Sequence, residues 1–313
     1  MIFSKPTGSL MSADVSPGNC DGDSFNSHEI IDGDKAGGLI ILCDHASNAV
    51  PPAYNGLGID PAELERHIGY DIGVAPLGRA LAERFRAPAV MSCFSRLLID
   101  PNRGEDDPTL IMRLSDGAVV PGNAHVDELE RERRLNRYYR PYHTAVTRMI
   151  DDCLEAGRPP VLLSLHSYTA VWRGNDRPWH CGLLWDKDPR LPQPMIARLA
   201  MEAGLRVGDN EPYSGSLKND TMYRHGTSRG LAHGLLEVRN DLISDPAGVL
   251  QWADRLEAVL RDILPEPSLY EIRHYGSLSD EPDPAAAGGG PDDKRDDKRS
   301  EADVDRPQYA NRA

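Results

Sequence analysis

An apolar run that stops at metal-binding residue types constrains this chain most: Gly38, then Leu39-Ile40-Ile41-Leu42-Cys43, then Asp44-His45-Ala46-Ser47-Asn48. Five apolar side chains between a glycine and an Asp-His pair read as a buried central strand whose carboxyl end opens into a site. The pattern recurs twice. Val161-Leu162-Leu163-Ser164-Leu165 runs into His166-Ser167, and Leu235-Leu236-Glu237-Val238-Arg239 runs into Asn240-Asp241. Ligands of open α/β sheets bind outside the carboxyl ends of the strands, where loops carry side chains that need not pack. If these three strands are parallel neighbours, His45, His166 and Glu237 converge.

Helical patterns alternate with these runs. Pro61 opens one; residues 72–85 form a second, for which Asp71 stands where an N-cap is expected. Residues 126–156 read as a long amphipathic helix that Pro141 must kink or split, and 188–203 and 246–264 as two more. Residues 87–93 and 96–100 read as short strands. Strands alternating with helices predict an α/β fold, a mainly parallel or mixed central sheet with helices on both faces. No internal repeat is present.

One folded body is expected over 37–273. Residues 1–36, rich in Ser, Gly and Asp without periodicity, read as a disordered arm, and 274–313, with its Asp292-Asp293-Lys294-Arg295 repeat, as a disordered charged tail. A net charge of −14 with no basic stripe argues against nucleic acid as a partner. No stretch approaches the roughly 20 apolar residues of a membrane span and no signal-peptide core is visible. Five widely spaced cysteines, with no C-x-x-C pair, fit a reducing compartment. The expectation is a cytoplasmic protein.

Two imidazoles at equivalent strand ends suggest a shared metal, zinc or another divalent ion, with a third protein ligand and a position left for water. Asp71 is preferred as that ligand. Asn48 offers only an amide oxygen, a poor zinc ligand, and takes a supporting role. Glu237 is the candidate base, partly desolvated at its strand end; the alternative is a plain pair with Arg239. Arg96, Arg103 and Arg239 offer forked donors for a substrate carboxylate, Arg103 being the best placed. An Asp100–Arg103 surface pair is the structural alternative. Residues 211–226, with Tyr213 and His225, could close over the site or be an ordinary turn-rich loop. No nucleophile elbow, phosphate loop, dinucleotide fingerprint or H-E-x-x-H helix is present, and Cys43 is a weaker nucleophile candidate.

Taken in order, Asp44-His45-Ala46-Ser47-Asn48-Ala49-Val50-Pro51, Gly69-Tyr70-Asp71-Ile72-Gly73, the 95–103 segment ending Asp100-Pro101-Asn102-Arg103, Leu165-His166-Ser167-Tyr168, Pro212-Tyr213-Ser214-Gly215 and Glu237-Val238-Arg239-Asn240-Asp241 resemble the N-formylglutamate amidohydrolase family over most of 38–265. The resemblance implies a phosphorylase/hydrolase-like fold related to the zinc carboxypeptidases. It further implies metal-dependent cleavage of N-formyl-L-glutamate, or a similar N-acyl amino acid, to formate and the amino acid, late in histidine breakdown. Zinc carboxypeptidases are similar at Asn102-Arg103, His166-Ser167 and Glu237; Asn48 stands where their glutamate ligand would. The substrate-binding set so implied is Arg103, Asn102, Arg96, Arg239, Ser167 and Tyr213, and the partner is a small N-acyl amino acid. The rivals are a non-catalytic metal- or amino-acid-binding protein on the same fold and a metal-free hydrolase using Cys43.

Overall fold

The computed structural model describes residues 25–281. Seven strands make one sheet: β1 (His28–Ile31), β2 (Leu39–Cys43), β3 (Ala89–Ser92), β4 (Val161–Tyr168), β5 (Cys181–Leu184), β6 (Val207–Asp209) and β7 (His233–Arg239). Their spatial order is β1-β3-β2-β4-β7-β5-β6. The middle four, β3, β2, β4 and β7, are parallel; β1 runs antiparallel at one edge, and β5 is antiparallel to β7 and parallel to β6. The three apolar runs are therefore adjacent parallel strands at the centre of a mixed sheet, as their composition predicts.

Alternation along these strands separates two cores. Leu39, Ile41, Leu163, Leu165, Leu236 and Val238 face one layer. That layer is closed by helices α2 (Val74–Phe85), α5 (Pro192–Leu199) and α7 (Pro246–Ile263). In α2 the buried residues Val74, Leu77, Gly78, Leu81 and Ala82 repeat at helical spacing. Gly78 lets this helix close on the sheet, because a Cβ there would lie 2.7 Å from the Cys43 Sγ. Ile40, Leu42, Leu162 and Leu235 face the other layer, covered by α4 (Arg140–Glu155). Each fully buried leucine or isoleucine adds about 1.5–3 kcal/mol relative to exposure. The next residues on this second face, Asp44, Ser164, His166 and Glu237, are polar, so here the core gives way to a buried polar centre.

Several sequence expectations change. The arm expected over 1–36 includes strand β1, whose alternate residues carry too little apolar signal to stand out; residues 1–24 lie outside the described chain. Within the tail expected over 274–313, a 3-10 turn forms at Leu278–Asp280; residues 282–313 lie outside the described chain. Residues 96–100 are not a strand: Leu97, Leu98 and Ile99 are buried in a turn-rich loop. The helix at Pro61 is a single turn, α1 (Pro61–Leu64), capped by Asp60.

The expected 126–156 helix is divided into α3 (Glu128–Arg134), a π turn (Leu135–Tyr139) and α4. The Arg140 N–H reaches back five residues to the Leu135 carbonyl, and Pro141, which has no N–H to give, falls in the first turn of α4. The 188–203 pattern shortens to α5. Helix α6 (Thr221–His225) is brief and capped by Asp220.

Candidate metal centre

Asp71 does not cap α2. Gly73 does, at φ +83°, and a Cβ on it would lie 2.1 Å from the Ile243 carbonyl oxygen, so glycine is required there. The Asp71 carboxylate is thereby released to the sheet side. Its backbone N–H donates to the His45 carbonyl at 2.9 Å, and the Ser95 hydroxyl donates to the Gly69 carbonyl at 2.8 Å. These bonds tie the loops after β2, before α2 and after β3 into one floor.

On that floor His45, Asp71 and His166 offer ligand atoms that all lie within 4.8 Å of one another. They are 1%, 3% and 2% exposed. Asp71 Oδ2 stands 2.8 Å from His166 Nδ1 and 3.3 Å from His45 Nδ1. The two Nε2 atoms point away to carboxylates: His45 to Asp100 at 2.7 Å and His166 to Asp44 at 3.0 Å. Each Nε2 faces an aspartate that can take its proton, and both Nδ1 atoms face Asp71. That is the outer-carboxylate arrangement typical of metal-ligating histidines.

The carboxylates are themselves held. Asp44 accepts from the Tyr142 hydroxyl at 2.8 Å, Thr221 Oγ1 at 2.7 Å and Ser164 Oγ at 3.0 Å. Arg96 donates to Asp71 Oδ1 at 3.3 Å and to Asp100 Oδ2 at 2.8 Å. Burial pushes against ionisation of all three aspartates, but the imidazoles, and Arg96 for Asp100, outweigh it and hold their carboxyls below the usual range. Burial likewise opposes a charged His166, yet its hydrogen bonds to Asp44 and Asp71 raise it to about 10. A metal would replace that proton.

Glu237 sits directly across from His166 in the β4–β7 register. It is 7% exposed, and its Oε2 is buried without a hydrogen-bond partner among the described residues, as is Arg96 Nε. Desolvation pushes the Glu237 carboxyl up to about 7, against the pull of His166. The unpartnered Glu237 oxygen, beside two imidazole nitrogens and the Asp71 carboxylate oxygen, makes a donor set that fits a divalent metal and a polar ligand next to it.

The other expected site residues divide. Arg96 is committed to Asp71 and Asp100, so it positions the ligand set and is not a free clamp. Ser167 holds rather than binds: its N–H donates to Asp71 Oδ2 at 3.2 Å and its hydroxyl to the Ile72 carbonyl at 2.9 Å. Asn102 Oδ1 accepts from the Thr221 N–H, and Asn48 donates its amide to the Leu64 carbonyl. Arg239 pairs with Asp241 at 2.8 Å and not with Glu237. Arg103 bonds the Asn102 carbonyl at 3.0 Å, and its own carbonyl accepts from Tyr139; its charge reaches Asp100 and Asp220.

Tyr213 lies by Glu237 and Arg177, whose guanidinium carbon is 4.9 Å from its ring. His225 faces inward, its Nε2 2.9 Å from His143 Nδ1, and burial depresses it to about 3, so it is a packed residue and no substrate contact. Cys43 is wholly buried on the opposite face of the sheet, and burial drives its thiol far above the normal range, which removes it as a nucleophile.

Sequence reasoning missed the outer carboxylates and Arg177. Asp44 beside His45, and the four-residue spacing from Arg96 to Asp100, are the only local marks of the former.

Fold and centre together define an α/β protein with a buried His-Asp-His cluster at the carboxyl ends of its central strands. The chain belongs to the N-formylglutamate amidohydrolase family, whose model matches residues 37–244, and it is thus a hydrolase of the amide-cleaving class. A gene product of Agrobacterium tumefaciens is 33% identical, with 79% of this chain and 97% of that one covered and a TM-score of 0.73. The N-formylglutamate amidohydrolase of Ralstonia eutropha shares the fold at 22% identity, covering 76% of this chain and 97% of its own, with a TM-score of 0.56. No curated protein matches the chain significantly. Among the described residues no helix is long and apolar enough to cross a membrane.

Proposed function

We propose that this chain hydrolyses the amide of N-formyl-L-glutamate, or of a closely similar N-acyl amino acid, to formate and the free amino acid. The observation that carries this reading is Glu237 Oε2, buried and unpartnered across from His166 in a member of an amide-cleaving family. His45 Nδ1, His166 Nδ1 and an Asp71 oxygen would hold zinc or another divalent metal. Such an ion supplies Lewis acidity at a carbonyl oxygen and lowers the pKa of water.

Glu237 is the general base. It takes a proton from the water that attacks the formyl carbon and passes it to the amide nitrogen as the C–N bond breaks. Burial raises this carboxyl and a bound cation would lower it again, and a group so balanced suits both transfers. Arg103 binds a carboxylate of the amino-acid half and holds the amide in line, while Arg96, Asp44 and Asp100 keep the ligands oriented.

Formate release measured alongside the metal content of the purified protein tests the proposal. Bound metal with no formate from N-formylglutamate or a panel of N-acyl amino acids would favour a non-catalytic binder. Two further outcomes are expected. Asp100→Asn weakens the acceptor that orients His45 and lowers metal affinity about 10–100-fold, read by competition with a chromogenic chelator. Arg103→Ala raises KM for N-formylglutamate at least about tenfold with kcat nearly unchanged, as loss of uniform binding requires; an unaltered KM would remove the clamp.

A further inference from the structure

Among the described residues three arginines are less than a tenth exposed: Arg134, Arg190 and Arg177. Arg134 has Glu130 at 2.9 Å and Arg190 has Asp188 at 2.6 Å. Arg177, 9% exposed, has no carboxylate within ion-pair distance among the described residues. Instead its guanidinium carbon lies 4.9 Å from the Tyr213 ring, 5.2 Å from Trp172 and 5.7 Å from Tyr168. Ring faces and a side-chain hydrogen bond to Tyr213 recover part of the cost of withdrawing the charge from water, but they occupy few of the five N–H donors of a guanidinium. A buried cation is ordinarily paired, and a forked donor without an anion is one suited to receive it.

The surroundings connect Arg177 to the reaction centre. Tyr168 follows His166 by two residues on β4 and so shares its face, where its register partner lies two residues beyond Glu237. Glu237 and Arg177 both act electrostatically on Tyr168 and on Tyr213, with opposite signs. The aromatic wall therefore spans the distance from the proposed base to the guanidinium. Arg96, by contrast, touches a proposed ligand directly, whereas Arg177 bonds none of the three.

We propose that Arg177, walled by Tyr168, Trp172 and Tyr213, is the specificity residue that takes the side-chain carboxylate of a dicarboxylic N-acyl amino acid. This rests on the amide-hydrolysis reading and deepens it. The α-carboxylate is one carbon from the amide nitrogen and belongs near the metal ligands, in reach of Arg103. The second carboxylate lies at the end of a methylene chain, and apolar ring faces suit those methylenes while the guanidinium meets the charge at their end. The site so built prefers an acidic side chain over its neutral amide.

The test compares N-formylglutamate with N-formylglutamine as substrates of the metal-loaded wild type and of Arg177→Met, which keeps much of the apolar stem. The wild type is expected to prefer the acid, and the ratio of the two kcat/KM values is expected to fall about 10²-fold in the variant, chiefly through KM. Arg177→Lys, which keeps the charge and loses the fork, should fall between them. An unchanged ratio, or an equal loss on both substrates, overturns the assignment.

Calorimetry with glutarate and butyrate gives a readout without turnover. The wild type should bind the diacid at least about tenfold more tightly than the monoacid, and Arg177→Met should not; equal selectivity in the two proteins also overturns it. A wild type that binds glutarate selectively yet releases no formate would sink the hydrolase reading while leaving the Arg177 site standing. If Arg177→Met fails to fold, Arg177→Gln replaces it in both measurements.

Discussion

Glu237→Gln is expected to lower kcat by about 10²–10⁴-fold while the protein keeps its metal and its fold. The carboxylate is a register neighbour of His166, and its Oε2 has no hydrogen-bond partner among the described residues, so the isosteric amide should disturb chiefly proton transfer. The same substitution should change the pH profile. A general base works ionised, and burial lifts this carboxyl to about 7; a bound cation pulls it down again. The rate of the native protein should therefore fall with acidification along a limb at or below about pH 7, and the variant should lack that limb. Retention of most of the turnover would assign the proton transfer to another group.

Removal of the metal by a chelator is expected to take formate release to background, with recovery on adding zinc. In Asp71→Asn recovery should fail. Asp71 Oδ2 is the atom on which both Nδ1 nitrogens and the Ser167 N–H converge, and its charge sets the affinity of the cluster, which an amide oxygen does not replace. Thiol alkylation should leave activity intact, because Cys43 is buried on the opposite core face. Turnover that survives chelation and dies on alkylation would reverse this account.

The centre of the molecule was readable because strand periodicity is local. Three apolar runs ending in polar residues gave the central strands, and the meeting of His45, His166 and Glu237 was conditional on those strands being parallel neighbours, which they are. Asp71 was not decidable from its neighbours: cap and ligand are both good uses of an aspartate there, and Gly73, through its contact with residue 243, decides between them. The run Leu97-Leu98-Ile99 misled because burial alone makes a loop look like a strand. Arg96 and Arg239 looked equivalent, and only long-range partners distinguish one bound to Asp71 and Asp100 from one bound to Asp241. Arg177 was invisible for the same reason: what marks it is the absence of a counter-charge among the described residues, and that is a property of the fold.

The widened turn at Leu135–Tyr139 has a bearing on how this protein can vary. Upstream of it, Arg134 is moored to the carbonyl of Leu98 and the side chain of Asn123; downstream, Tyr142 reaches Asp44 and His143 reaches the carbonyl of Pro101. The extra residue is absorbed in that turn; winding it as ordinary α-helix without losing a residue would swing everything after it through about 100° about the axis, carrying the tyrosine off the aspartate that steadies His166. A residue too many for regular winding is thus taken up where it occurs, and a centre that this turn never touches keeps its geometry because the backbone widens there.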